Sequence, residues 1–475
     1  MAYPQLALFI AGQWRTPEQA EPVINPADGS TIASLPHASL TDLDLALVSA
    51  ERGFETWRRM SPIERERIML RAADNLSARR EEIARALVLD QGKTLLEART
   101  EVEIACDRIV WDATEARRLY GRIVPGGERL RKAVMRFPIG VVAAFTPWNY
   151  PLASPTRKVA GALAAGCSII LKAAEETPAG AVELVRAFVD AGVPEGVISL
   201  VFGKPAEISS YLIPQRAVRL VTFTGSVPVG KHLAALCGQH MKPAIMELGG
   251  NSPVIVWSDA DPAQAAALSV KGKSRNAGQV CVSPTRFFVH DRIYDDFVEA
   301  FARGASALRA GTGADPAIDM GPLANQRRLD AVEGYVADAV ARGARLVAGG
   351  KRIGRKGFLY PLTVLADTPQ DARAMIEEPF GPIALISRIH SLDEAIARAN
   401  AVDFGLAAYA FTDSASVAAR LSEEVECGSL SINHFTSTYP DLPFGGIKDS
   451  GYGREGGTEG LECYTFARAV THRMK

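Results

Sequence analysis

The sequence predicts an α/β protein in which a largely parallel, doubly wound sheet is followed by a second α/β domain. Between residues 140 and 256, short apolar runs alternate with helical segments: Val141-Val142-Ala143-Ala144-Phe145, Ser168-Ile169-Ile170-Leu171, Val197-Ile198-Ser199-Leu200-Val201-Phe202 and Leu220-Val221-Thr222-Phe223. Runs that are apolar on both faces suit strands buried between two helix layers. The alternation resumes after residue 281, with Arg286-Phe287-Phe288-Val289 and a helix from about 293 to 308. A chain of 475 residues also exceeds one ordinary core, so two or three domains are expected.

In chain order, Leu6-Ala7-Leu8-Phe9-Ile10 is cut by Gly12-Gln13 too early for a signal core, and no basic leader precedes it. No apolar run reaches membrane-spanning length. The six cysteines show no close pairing, which disfavours a disulfide scaffold or zinc cluster and points to a reducing cytoplasm. From residue 41 to about 118 the pattern is helical, with Ser61-Pro62 as a start signal and Gln91-Gly92-Lys93 as a stop. Pro125-Gly126-Gly127 turns between Arg122-Ile123-Val124 and Lys132-Ala133-Val134-Met135, a candidate projecting hairpin. Thr177-Pro178 opens a helix over 179–191 that Gly192 ends. Lys+Arg 53 against Asp+Glu 54 leaves a net charge of −1, which offers no general field for nucleic acid or an anionic membrane.

Several motifs have two readings each. Gly225-Ser226-Val227-Pro228-Val229-Gly230-Lys231 has Walker-loop spacing, but His232 stands where the magnesium-binding hydroxyl is required. Following a strand and opening a helix, it is either a metal-free pyrophosphate cradle or a plain turn. No Gly-x-Gly-x-x-Gly fingerprint opens the sheet, so an ordinary Rossmann assignment is weakly founded. Lys172 with Glu175 is either a ribose-binding pair at a strand end or a loop ion pair, and Glu378, beside Phe380 and two prolines, is equally ambiguous. Cys281 ends the small, polar run Arg275-Asn276-Ala277-Gly278-Gln279-Val280, and Glu247 closes an apolar run before Leu248-Gly249-Gly250. They are either a nucleophile and its base or a core cysteine with an unrelated acid.

In one order along nearly the whole chain stand Pro147-Trp148-Asn149-Tyr150-Pro151, Lys172 with Glu175, Phe223-Thr224-Gly225-Ser226, Glu247-Leu248-Gly249-Gly250, Gly278-Gln279-Val280-Cys281, Glu378-Pro379-Phe380-Gly381-Pro382 and Pro443-Phe444-Gly445-Gly446. Together they resemble the aldehyde dehydrogenase superfamily. The resemblance implies a Rossmann-like cofactor domain (1–118 and 139–248), an α/β catalytic domain (249–445), and a small β oligomerisation arm with the carboxyl-terminal segment (119–138 and 446–475), in a homodimer or homotetramer. It implies that Cys281 attacks the aldehyde, that Asn149 and the Cys281 N–H hold the oxyanion, and that Glu247 activates water, so that the product is a free acid. It assigns Thr146, Pro147, Trp148, Lys172, Glu175, Gly225, Ser226, Leu248, Glu378 and Phe380 to the cofactor, with no metal. Glu175 would repel a 2′-phosphate, so NAD is expected over NADP.

A finer resemblance, in Gln279-Val280-Cys281-Val282-Ser283-Pro284-Thr285-Arg286 and Lys448-Asp449-Ser450-Gly451-Tyr452-Gly453, is to dehydrogenases of succinic and 2-oxoglutaric semialdehyde. Arg157 and Arg275 match the pair that grips the distal carboxylate there, with Tyr150, Thr438 and Phe444 lining the pocket. A general or aromatic aldehyde is the alternative should the arginines point elsewhere. Ala173, Asn251 and Gly203 depart from the family pattern without touching a catalytic atom. A nucleotide hydrolase is disfavoured by His232, and a non-enzymatic binding protein by the intact set Asn149, Glu247 and Cys281.

Overall fold

A computed structural model describes residues 3–475. The centre of its first sheet is five parallel strands in the spatial order Ile198–Val201, Ser168–Lys172, Val141–Phe145, Val218–Thr224 and Ala244–Glu247. The edges are antiparallel: Leu8–Ile10 pairs with Ile198–Val201 and with Gln13–Arg15, and Gly451–Tyr452 pairs with Ala244–Glu247. The amino-terminal apolar run is therefore an edge hairpin. Its two-residue turn needs positive φ at both positions, 52° at Ala11 and 74° at Gly12, which suits the twist of the flanking strands.

Four helices, Leu40–Trp57, Pro62–Ala78, Arg80–Gln91 and Leu95–Glu115, occupy the stretch with the helical pattern. Three begin with a reciprocal capping box: Ser39 with Asp42, Ser61 with Glu64, and Thr94 with Glu97. Gly92, at φ 89°, stops the third, as a left-handed residue past the last turn does.

The second sheet runs Arg345–Ala348, Thr363–Ala366, Ile383–Ile389, Pro284–His290, Ser252–Val256, Ala407–Phe411 and Ser429–Ile432, with only the first strand antiparallel. Each sheet has its own hydrophobic core, and the change from one to the other falls between Leu248 and Val254. Arg122–Val124, Leu130–Pro138 and Thr465–Arg473 make a separate antiparallel sheet, so the hairpin gains a third strand from the carboxyl terminus. The remainder of 446–475 belongs elsewhere: Ile447–Lys448 pairs with Phe404–Gly405, and Gly451–Tyr452 closes the first sheet. These two-residue strands are too short to show a period in sequence.

Candidate active site

The strands that end at Phe145, Lys172, Thr224 and Glu247 bring their carboxyl ends to one edge of the first sheet, with Phe145 opposite Lys172 and Thr224 opposite Glu247. Four residues, 248–251, then cross to the amino edge of the second sheet at Ser252. Cys281, Glu378 and Phe380 lie just before strands of that second sheet. A carboxyl edge thus meets an amino edge, and nearly every candidate residue falls at that seam.

Glycines make the seam tight. A Cβ on Gly249 would lie 2.4 Å from Glu378 Oε2, one on Gly250 would lie 2.6 Å from the Cys281 carbonyl oxygen, and one on Gly445 would lie 2.7 Å from Glu247 Oε1. Real side chains do not approach so closely, so these positions admit only glycine without displacement.

The turn before Cys281 is left-handed at three successive residues, with φ 49° at Asn276, 52° at Ala277 and 70° at Gly278. For the two non-glycine residues this costs roughly 1–2 kcal/mol each. The hydrogen bonds that hold it are dense. The Asn276 N–H donates to Glu97 Oε1 at 2.6 Å, Asn276 Nδ2 to the Asn149 carbonyl at 2.9 Å, and Gln279 Nε2 to the Asn276 carbonyl at 3.1 Å. Asn149 Nδ2 donates to the Gln279 carbonyl at 3.0 Å, which sets this carboxamide beside the cysteine segment.

Burial, then the Glu378 carboxylate, pushes the Cys281 thiol up to about 12, with Glu247 adding to the rise and Arg157 and Arg275 opposing it. Both arginines therefore act electrostatically on the sulfur. Glu247 is buried, and neither carboxylate oxygen has a hydrogen-bond partner. Burial, then the nearby Glu455, raises its pKa well above the usual carboxylate range. Glu455 shifts the other way: burial raises its pKa, but Lys158, Arg157 and Arg108 together outweigh that and lower it; Lys158 Nζ donates to Glu455 Oε1 at 2.6 Å. A carboxyl whose pKa burial raises thus sits within electrostatic reach of a thiol, an arrangement that could serve acyl chemistry.

Most of the expected cofactor residues lie at the carboxyl edge of the first sheet, with Glu378 and Phe380 on the second-sheet side of the seam. The buried Thr146 hydroxyl has no partner, and Ser226 precedes the helix Val227–Gln239 without its side chain capping it. Gly225 packs so tightly on the Phe223 ring that a Cβ would lie 2.3 Å from it, and Leu248 packs against Gly230 in the same way, at 2.3 Å. Trp148 meets Phe380 edge-on, ring centroids 5.5 Å apart, beyond Pro147. Lys172 forms an ion pair with Glu175, whose pKa is raised by burial against the pull of that lysine. Glu378 Oε1 accepts from the Gly250 N–H at 3.0 Å, and burial pushes its carboxyl up to about 7. A free hydroxyl, uncapped helix amides and two separate carboxylates fit a dinucleotide with two riboses. Among the described residues, no cluster of acids, histidines and cysteines suits a metal ion.

The two arginines differ. Arg275 is half-buried, its enclosed Nε has no hydrogen-bond partner, and it makes no salt bridge with the described residues; Tyr150, Tyr409 and Glu97 are its electrostatic neighbours. Arg157 stacks 4.4 Å above the Phe444 ring with Nη1 4.0 Å from Glu455 Oε2. Thr438 is half-buried on the loop after the strand Ser429–Ile432. Sequence patterns do not single out Lys158 and Glu455 beside Glu247, or Tyr409, whose hydroxyl donates to the Val282 carbonyl at 2.6 Å. Lys158 adjoins Arg157, a candidate on other grounds, whereas Glu455 arrives from 297 positions away and leaves no local signal.

The model of the aldehyde dehydrogenase family matches residues 14–470. A 4-(hydroxymethyl)benzenesulfonate dehydrogenase of Comamonas testosteroni is 50% identical over 460 residues, covering 96% of each chain. An NADP-dependent succinate-semialdehyde dehydrogenase of Escherichia coli K12 is 40% identical, covering 96% of this chain and 95% of its own. The crystal structure of a succinate-semialdehyde dehydrogenase from Burkholderia pseudomallei superposes with a TM-score of 0.97 at 38% identity, covering 99% of this chain and 98% of that one. The chain belongs to the aldehyde dehydrogenase family.

Proposed function

We propose that this enzyme oxidises an aldehyde bearing a distal anion, succinic or 2-oxoglutaric semialdehyde in the first instance, to the corresponding diacid with NAD. The observation that carries this is Arg275, a half-buried guanidinium near the thiol whose enclosed Nε has no partner and which has no carboxylate of the described residues within salt-bridge distance. A cation partly withdrawn from water without a counter-ion is costly, and a substrate anion would reduce that cost. The 50% identity to a dehydrogenase of a benzenesulfonate favours a second reading, in which the anion is a sulfonate on an aromatic aldehyde.

In this reading Cys281, as thiolate, adds to the aldehyde carbon, and the oxyanion is held by Asn149 Nδ2 and the Cys281 N–H. NAD would be held by Thr146, Pro147, Trp148, Lys172, Glu175, Gly225, Ser226, Leu248, Glu378 and Phe380, and would supply a positive ring charge that favours the thiolate and the acceptor for the hydride lost when the adduct becomes a thioester. Glu247 then takes a proton from water, whose oxygen attacks the thioester carbon. The carbon–sulfur bond breaks, and the acid leaves with the thiolate restored. Tyr150, Thr438 and Phe444 bound the space for the chain of the substrate. The exposed Tyr120, Ile123, Met135, Phe466 and Val470 on and beside the three-stranded sheet support assembly into dimers or tetramers through that arm. No described helix is long and apolar enough to cross a membrane, and we place the enzyme in the cytoplasm.

Comparing kcat/KM for succinic semialdehyde, 2-oxoglutaric semialdehyde and 4-formylbenzenesulfonate against neutral aldehydes of equal length tests the substrate class. The anionic set should lead, and Arg275→Met should lower its kcat/KM by roughly 10- to 100-fold, the worth of a charge-assisted hydrogen bond, while sparing the neutral set. Equal loss on both sets would overturn the role of Arg275. For the cofactor, a carboxylate about 4 Å from a 2′-phosphate at an effective dielectric of 20 is repelled by about 4 kcal/mol per unit charge before screening. Glu175→Ser should therefore improve kcat/KM for NADP relative to NAD at least about tenfold. An unchanged ratio would place the discrimination elsewhere.

A further inference from the structure

A second buried ion pair lies next to the residue that holds the oxyanion in the proposed function. Lys93, in the turn between the third and fourth helices of the chain's helical stretch, pairs with Glu101 on the fourth, their side chains 1% and 0% exposed. We propose that Lys93 and Glu101 are positioning residues for the Asn149 carboxamide, clamping from behind the irregular segment that carries it. The inference rests on the reading of Asn149 as an oxyanion donor.

Residues 146–152 form no helix or strand between Val141–Phe145 and Ala153–Ala165, so regular hydrogen bonding does not fix their peptides. The clamp does so at both ends. Lys93 Nζ donates to the Asn149 carbonyl at 3.1 Å, and the same carbonyl accepts from Asn276 Nδ2 at 2.9 Å, which fills both of its lone pairs. The ammonium also stands 4.2 Å from the Tyr150 ring centroid. Glu101 Oε1, meanwhile, accepts from the Leu152 N–H at 2.9 Å and the Ala153 N–H at 3.0 Å, satisfying first-turn donors of a helix whose own N-cap side chain makes no such bond.

The lysine itself is held from outside the segment. A Cβ on Gly313 would lie 2.0 Å from the Lys93 carbonyl oxygen, so the backbone of Lys93 is locked by a close packing contact. A buried ion pair is a poor device for stability, because two apolar groups of similar volume serve as well or better. Its use here is geometric. It fixes one peptide plane, from which the Asn149 side chain reaches forward to the cysteine segment, and catalysis is steep in such placement: a shift of about 1 Å costs on the order of 100-fold.

The test removes both charges together. In Lys93→Met/Glu101→Gln, methionine keeps the volume of the lysine stem, and glutamine keeps an acceptor for the Leu152 and Ala153 N–H groups, so no lone charge is left buried. Single-turnover hydride transfer at saturating NAD and aldehyde should fall roughly 10- to 100-fold, with KM for NAD unchanged. Placed on Asn149→Ala, the same two substitutions should make no further difference, because what they position is already gone. A wild-type transfer rate in the double variant, or a full additional loss on the Asn149→Ala background, overturns the inference. Asn149→Ala alone separates the two levels: an unchanged rate there overturns the oxyanion reading and this inference with it. Should the double variant not fold, Glu101→Gln alone, which keeps an acceptor for both N–H groups, undergoes the same two comparisons.

Discussion

Cys281→Ala should abolish NADH formation from every aldehyde and leave the fold and NAD binding intact. The expected loss is on the order of 10⁶-fold in kcat, the scale seen when a nucleophile that works as one unit with its partners is removed. The site supports so large an effect because it contains no substitute. Of the six cysteines, Cys281 alone follows the left-handed turn over 276–278 that Asn149 Nδ2 braces through the Gln279 carbonyl. Intact-mass analysis after mixing with NAD and aldehyde should find an acyl adduct on the native protein and none on the variant. Because the machinery acts as a unit, Cys281→Ala/Glu247→Gln should be no slower than Cys281→Ala alone. A residual rate within tenfold of the native enzyme would show that another group attacks the aldehyde.

Glu247→Gln should divide the reaction in time. One equivalent of NADH forms at close to the native rate, and the steady state that follows is slower by about 10² to 10⁴, the worth of a positioned general base. The acyl adduct then accumulates. The acid shift of Glu247 gives the pH dependence its sign: burial and Glu455 raise the folded pKa, so the carboxyl is protonated and idle below that pKa and ionised above it. Native steady-state turnover should therefore decline as pH falls through the raised pKa, while the slow turnover of the glutamine variant loses that limb of the profile. A burst that vanishes with the substitution would contradict the role, assigning Glu247 to the thiol proton instead of to water.

Chemistry written into contiguous residues is legible in the amino-acid sequence. The double glycine after Glu247, the small residues before Cys281 and the sequence around Asn149 are each local, and each is local for a steric reason, since backbones at the seam approach closer than side chains allow. The parallel sheet is legible because its strands are apolar on both faces. What escapes such reading is assembled across distance. Lys93 reads as the end of a helix and nothing more, and its contact with Asn149 spans 56 positions. Glu455 meets Lys158 from the far end of the chain, inside a glycine-rich stretch with no period of its own. The amino-terminal edge hairpin is hidden by its length of three residues a strand.

In the proposed reaction the seam between the two sheets also divides the labour. Glu247 follows Met246 of the first core, and Cys281 packs on the second. Glu247 and Cys281, the proposed base and nucleophile, thus belong to separate bodies, and the crossing at 248–251, the return of the chain at Gly451–Tyr452 and the hydrogen bonds of Asn149 and Asn276 are among what joins them. Either core can be intact while the pair is out of register. Activity in this enzyme should therefore report the seating of one body on the other, a more exacting condition than the folding of both, and heat or denaturant that merely loosens the seat should silence it before either core melts.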